Sequence, residues 1–200
     1  MHDHLTDGVL RFRRDVHPAR AALFERLAAA HRPAAVFIGC SDARVVPELL
    51  TQSDPGELFV IRTAGNLVPE YGPEPDAVSA SIEYALAVLG VTDVIVCGHS
   101  ACGAMTALAT GEDLAGLPAV AGWLHAAGPA TAGDGSGGET AVPALVRDNV
   151  VAQLAHLATH PSVARALARD AVTLHGWVHD IRTGAVDVLD PARGTFTPLS

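Results

Sequence analysis

Cys40-Ser41-Asp42-Ala43-Arg44 and His99-Ser100-Ala101-Cys102 bring together two thiols, an imidazole, a carboxylate and a guanidinium. Sulfur and nitrogen donors in that mixture suit a tetrahedral zinc ion (Zn2+), with oxygen or water filling the fourth place. The His-x-x-Cys spacing sets two donors on one tight turn, where Gly98 and Gly103 are expected to let the backbone bend. Asp42 and Arg44 are two residues apart, so in an extended segment their side chains share a side. An arginine fork can hold a carboxylate by two hydrogen bonds. Two outcomes are open: Asp42 takes the fourth place and closes the site, or Arg44 holds it away and water enters. Water in such a place can reach a pKa of about 7, which supplies hydroxide at neutral pH. The third thiol, Cys97, sits mid-strand beside the second motif and reads as a core residue.

The elements that must position these groups are legible in outline. Ala35-Val36-Phe37-Ile38-Gly39 is a short continuous apolar run that ends at Cys40, the pattern of a strand buried on both faces. Residues 57–62 and 93–98 read as further strands, and 172–179 as a fourth. Thr183-Gly184 turns this last one into a hairpin with 186–189. Residues 79–89 form an amphipathic helix stopped by Gly90. Other helical stretches are a short one from Pro47, one after Cys102, and 144–159 and 161–169 around Pro161. Residues 8–31 carry helix-compatible spacings broken at Pro18, giving either two helices or an extended arm followed by a helix, and the polar residues before them read as a disordered tail. Gly133 to Gly138 reads as a flexible loop. Alternating strands and helices indicate an α/β fold: a mainly parallel central sheet with an antiparallel edge strand, helices on both faces and an N-terminal helical arm. Motifs gather beyond the carboxyl ends of strands in such sheets. If the first and third strands are neighbours, both motifs share one crevice.

Composition narrows the class. A chain of 200 residues with 49% apolar and 18% charged residues is expected to be one domain, 1–200, with residues 1–31 as the arm. All 13 basic residues are Arg, and 22 acids leave a net charge of −9, which argues against nucleic-acid or anionic-membrane partners. Three cysteines, two of them in the motifs, suit a reducing compartment better than a disulfide framework. The first residues lack a basic and an apolar region, and no apolar run approaches a bilayer's thickness, so the expected location is cytoplasmic.

Five stretches together are more specific than any one. They are Cys40 to Val45, Arg62-Thr63-Ala64-Gly65-Asn66, Ser81-Ile82-Glu83-Tyr84-Ala85, Cys97 to Ala104, and Leu174-His175-Gly176-Trp177 continuing to Ile181-Arg182-Thr183-Gly184. In order and spacing the chain resembles the β-class carbonic anhydrases over about residues 10–200. The resemblance implies zinc-dependent reversible hydration of carbon dioxide to bicarbonate and a proton. It implies Cys40, His99 and Cys102 as constant ligands, and Asp42 as a switchable fourth ligand or as the hydrogen-bond acceptor of the metal-bound hydroxide. Arg44 would be its partner. It also implies that the Gly103 N–H helps hold substrate and that Phe59 and Tyr84 line an apolar pocket. The arm would wrap a second subunit in a homodimer or dimer of dimers.

Several positions depart from the family's pattern. Ala43 replaces a serine, Ala101 a polar residue, and His31 a glutamine that contacts substrate across the interface. An inhibitory bicarbonate site found in some members reads Phe37, Arg62 and His179 here, so that regulation is not expected. Alternative readings keep the same centre: hydrolysis of carbonyl sulfide or carbon disulfide, or a non-catalytic zinc or bicarbonate sensor. Without the resemblance, Phe59 and Tyr84 would be ordinary core aromatics.

Overall fold

The computed structural model describes residues 2–128 and 137–199. Residues 133–136 of the Gly-rich stretch lie outside them. The chain divides into two compact units, Met1–Arg32 and Pro33–Ser200.

The first unit is helical from its start. α1 (His2–Arg11) runs through a π-helical turn, Phe12–Val16, into α2 (His17–Ala19), and α3 (Ala21–Ala29) follows. Two expectations are corrected here. The polar residues after Met1 belong to α1, and the helix passes through Pro18, breaking only at Arg20 (φ −121°, ψ 20°). Proline removes one N–H donor, and the helix accommodates this upstream by widening: the His17 N–H reaches back to Phe12 O.

The second unit is built on a six-stranded sheet among the described residues, in the order β2-β1-β3-β4-β5-β6. Its first strands are β1 (Ala35–Cys40), β2 (Leu58–Thr63), β3 (Asp93–His99) and β4 (Thr173–His179), all parallel. β5 (Val186–Asp190) and β6 (Thr195–Pro198) continue antiparallel, one strand more than expected. β6 has four residues and carries Pro198, so it suits only an edge and offers little pattern to read.

Helices α4 (Pro47–Thr51), α5 (Ala77–Glu83), α6 (Gly103–Thr110), α7 (Pro118–Ala127), α8 (Val142–Thr159) and α9 (Pro161–Leu167) complete the unit. α5 continues as a π-helical turn, Tyr84–Val88. α7 was not anticipated, since Ala-rich sequence interrupted by Gly122 has no clean apolar stripe.

Period-two alternation divides the core between the faces of the sheet. Val36, Ile38, Val94 and Val96 meet Val150 and Leu157 of α8. Phe37, Ile95 and Cys97 lie together on the other face, with Trp177 edge-on to Phe37 at 6.3 Å between centroids. Val36, Phe37 and Ile38 are fully buried, and each such side chain contributes about 1.5–3 kcal/mol. α8 approaches closely because β3 and β4 present glycines to it. A Cβ on Gly98 would lie 2.9 Å from Val150 Cγ2, and one on Gly176 3.0 Å from Val150 Cγ1. Gly98 therefore serves close packing rather than a bend. Neither Gly98 nor Gly103 has positive φ, and the turn's left-handed residue is Ala101 (φ 53°).

Candidate metal centre

β1 and β3 are neighbours, with Gly39 opposite Cys97. Cys40 and His99 are the last residues of their strands, and Cys102 caps the start of α6. The ligand atoms of Cys40, His99 and Cys102 all lie within 4.8 Å of one another, and all three residues are buried. A tetrahedron with bonds of about 2.3 Å has edges of about 3.8 Å, so the cluster is of the right size for zinc. Cys97 is fully buried among Phe37 and Ile95, on the sheet face away from Cys40, and burial pushes its thiol up to about 12. It is inert core.

The imidazole is prepared for a metal. His99 Nδ1 lies 2.9 Å from Ser100 O, which requires the proton there and leaves the lone pair on Nε2. Nε2 is buried without a hydrogen-bond partner among the described residues. Metal-binding histidines use their other nitrogen in this way. The thiols tell the same story. The two sulfurs are neighbours in this cluster, and their interaction pulls the Cys40 thiol down while pushing that of Cys102 up. A divalent ion would hold both as thiolates. These residues fit zinc.

Asp42 is not part of this cluster. Arg44 Nε donates to Asp42 Oδ1 at 2.9 Å and Nη2 to Oδ2 at 2.6 Å, while the Arg44 N–H also reaches Oδ1 at 2.9 Å. Asp42 Oδ2 stands 4.0 Å from His99 Nε2. The pair meets through a turn, with the Val45 N–H on Asp42 O at 3.0 Å, and not through the extended segment expected. Hydrogen bonds from Arg44 hold the Asp42 carboxyl well below the usual carboxylate range. Arg44 Nη2 also donates to Ala101 O at 3.0 Å, tying the first motif to the second. The left-handed backbone at Ala101, which costs about 1–2 kcal/mol for a residue with a Cβ, accompanies that contact.

Further residues support the loop in roles that the sequence did not suggest. Arg62 donates to Cys40 O, Asp42 O (2.6 Å) and Val45 O (2.8 Å), so its guanidinium fixes the path of the first motif. The Gly65 N–H donates to Cys40 Sγ at 3.4 Å. Asn149 Nδ2 donates to Gly65 O at 3.0 Å, Gln153 Nε2 to Asn149 Oδ1 at 2.9 Å, and the Val68 N–H to Gln153 Oε1 at 2.7 Å. Trp123 Nε1 donates to Ala64 O at 2.9 Å. The legible signal was Asn149 and Gln153 at i, i+4 among Leu145, Val146, Val150 and Leu157 on one helix.

The remaining anticipated residues are dispersed. Gly103 begins α6 beside Cys102 and is exposed. Phe59 on β2 and Tyr84 approach each other at 6.2 Å between centroids, with Tyr84 45% exposed. His31 follows α3 in the N-terminal unit and is exposed. A cavity of about 510 Å³ opens beside Ser100 and Ala101, lined also by Arg147, His179 and Asp187, and none of the three clustered donors lines it.

The comparisons agree with this geometry. The carbonic anhydrase family model matches residues 35–186. A carbonic anhydrase of Pseudomonas aeruginosa is 60% identical over 200 residues, 98% of this chain and 91% of that protein. The β-carbonic anhydrase CcaA superposes with a TM-score of 0.92 at 36% identity, over 100% of this chain and 92% of the other. A structure of tetrameric β-carbonic anhydrases from the filamentous ascomycete Sordaria macrospora gives a TM-score of 0.70 at 27% identity, over 98% and 95%. The chain belongs to the β-class carbonic anhydrases, a family of lyases. No helix among the described residues is long and apolar enough to cross a membrane.

Proposed function

We propose that this chain catalyses the reversible hydration of carbon dioxide to bicarbonate and a proton at a zinc ion held by Cys40, His99 and Cys102. The observation that carries the reading is the grip of Arg44 on both oxygens of Asp42. Three donors with a free fourth place are the arrangement of a catalytic zinc, whereas four protein donors make a closed structural one. When bound, zinc supplies a Lewis acid and a source of hydroxide near neutral pH.

The chain's own groups would do the rest. Asp42, ionised and held in place, would accept a hydrogen bond at Oδ2, the oxygen nearer His99, from the water or hydroxide at the fourth place. Arg44 keeps that carboxylate off the metal. The Gly103 N–H, unpaired within its helix as a first-turn donor, would hold a substrate oxygen. Phe59 and Tyr84 would form apolar wall for carbon dioxide, and His31 would act across a subunit boundary. The assembly is a homodimer or dimer of dimers, in keeping with the tetrameric relatives from Sordaria macrospora, and the location is cytoplasmic.

The test is zinc content measured beside carbon dioxide hydration by stopped flow. The purified chain is expected to hold one zinc per subunit, and Cys40→Ser and His99→Ala to lose both metal and activity. Activity retained in a zinc-free variant would refute the mechanism. Preference for carbonyl sulfide over carbon dioxide in the same preparation would reassign the substrate.

A further inference from the structure

The peptide joining Ala64 to Gly65 is held at both ends. Its N–H points at Cys40 Sγ, 3.4 Å away, and its oxygen accepts the indole N–H of Trp123 at 2.9 Å. The following peptide is held too, since Gly65 O accepts from Asn149 Nδ2 at 3.0 Å. Asn149 in turn is oriented by Gln153, and Gln153 by the Val68 N–H. The direction of this chain is forced. An N–H can only donate, so the Val68 N–H makes Gln153 Oε1 an acceptor. That leaves the Gln153 amide nitrogen as donor to Asn149 Oδ1, and the Asn149 nitrogen as donor to Gly65 O.

Gly65 is the hinge of the device. Its φ of +73° suits glycine, and a Cβ there would lie 2.9 Å from that of Ala104 on α6. Asn149 and Gln153 are buried completely. Burying two amides is costly unless every group is paired, so such networks are places where a fold commits to one geometry. Here that geometry ends on a sulfur. A donor held on a thiolate withdraws electron density from it, and hydrogen bonds along one peptide strengthen each other.

We propose that Trp123 and Asn149, the latter oriented by Gln153, are positioning residues that set the donor strength of the Cys40 sulfur. They do so by holding the Ala64–Gly65 N–H against it from both sides. The inference rests on Cys40 being a metal ligand, and the experiment separates the two claims.

Zinc is replaced by cobalt(II) in the full-length chain, and the sulfur-to-cobalt charge-transfer band is recorded for the parent, Trp123→Phe, Asn149→Ala and Gln153→Glu. Trp123→Phe keeps an aromatic ring and removes only the indole donor; Gln153→Glu keeps the acceptor for Val68 and removes the donor to Asn149. The band is expected to move to lower energy in each variant, because sulfur relieved of a hydrogen bond is easier to oxidise. Cobalt affinity, measured by chelator competition, is expected to fall about 10–100-fold in Asn149→Ala, the usual cost of losing outer support at a metal site. A purely structural role would lower the melting temperature and leave the band in place, and that result overturns the proposal. Should Asn149→Ala fail to fold, Trp123→Phe alone decides. A parent that binds cobalt with no sulfur charge-transfer band overturns the metal reading, and this proposal with it.

Discussion

Arg44 decides what Asp42 can do. Both carboxylate oxygens are engaged by the guanidinium, and the backbone N–H of Arg44 adds a third bond. An acid whose folded pKa is lowered contributes stability above its unfolded pKa, and loses that contribution as pH falls through the folded value. Asp42 is therefore ionised at any pH where the enzyme would work, an acceptor and never a donor. Lysine cannot reproduce the fork. Arg44→Lys and Arg44→Ala are expected to keep zinc and to lose about 10–100-fold in kcat/KM, as outer partners of metal sites do. Zinc analysis and stopped-flow hydration would check this, and an unchanged kcat/KM would remove Arg44 from the mechanism. The pair was legible from its spacing, but its geometry was not. A turn and an extended segment both bring residues two apart together, and only the Val45 N–H on Asp42 O distinguishes them.

At the scale of elements, strand ends were readable because continuous apolar runs stop at polar motifs. What escaped was whatever acts through the backbone. Arg62 was legible only as part of a motif, and Asn149 and Gln153 only as a polar i, i+4 pair; that they and Trp123 hold main-chain groups depends on the whole fold, so no local pattern announces those roles. Ala101 in the left-handed region is another case, since the sequence offered glycines on either side. α5 illustrates a local rule obeyed. Asp76 caps it, with Oδ1 accepting from the N–H groups of Val78 and Ser79 at 2.9 Å each and Oδ2 from the Ser79 hydroxyl. Burial would raise the Asp76 carboxyl, but the bonds from Ser79 and Val78 outweigh it and pull it down. Asp76→Ala is expected to cost about 1 kcal/mol at neutral pH. Because the folded pKa lies below the unfolded one, near 3.9, the cap's contribution is complete above that pH and fades as pH drops. The difference between parent and variant in urea denaturation should therefore hold from pH 7 to about pH 5 and narrow as pH falls below about 4. A gap that widens on acidification would contradict the assignment.

For the whole molecule, the arm raises a question of assembly. Leu5, Val9, Phe12 and Val16 recur at intervals of four, three and four, the spacing of one helical face. All are exposed, Leu5 by 68% and Val9 by 59%. A helix with an uncovered apolar stripe is stable mainly when something packs on it, because propensity alone leaves short helices marginal in water. Tyr84 and Val88, exposed by 45% and 66% on the second unit, are a further apolar area without cover in a single chain. A second copy of the chain would bury both kinds of surface. It would also give His31 a site to reach and Phe59 and Tyr84 a pocket to line, so assembly and catalysis should fail together. Sedimentation velocity of the full chain is expected to give a dimer or larger species. Leu5→Glu combined with Val9→Glu is expected to shift it toward monomer and to lower activity in proportion, with zinc retained because its three ligands come from one chain. A monomeric parent with full activity would refute the link between the arm and the site.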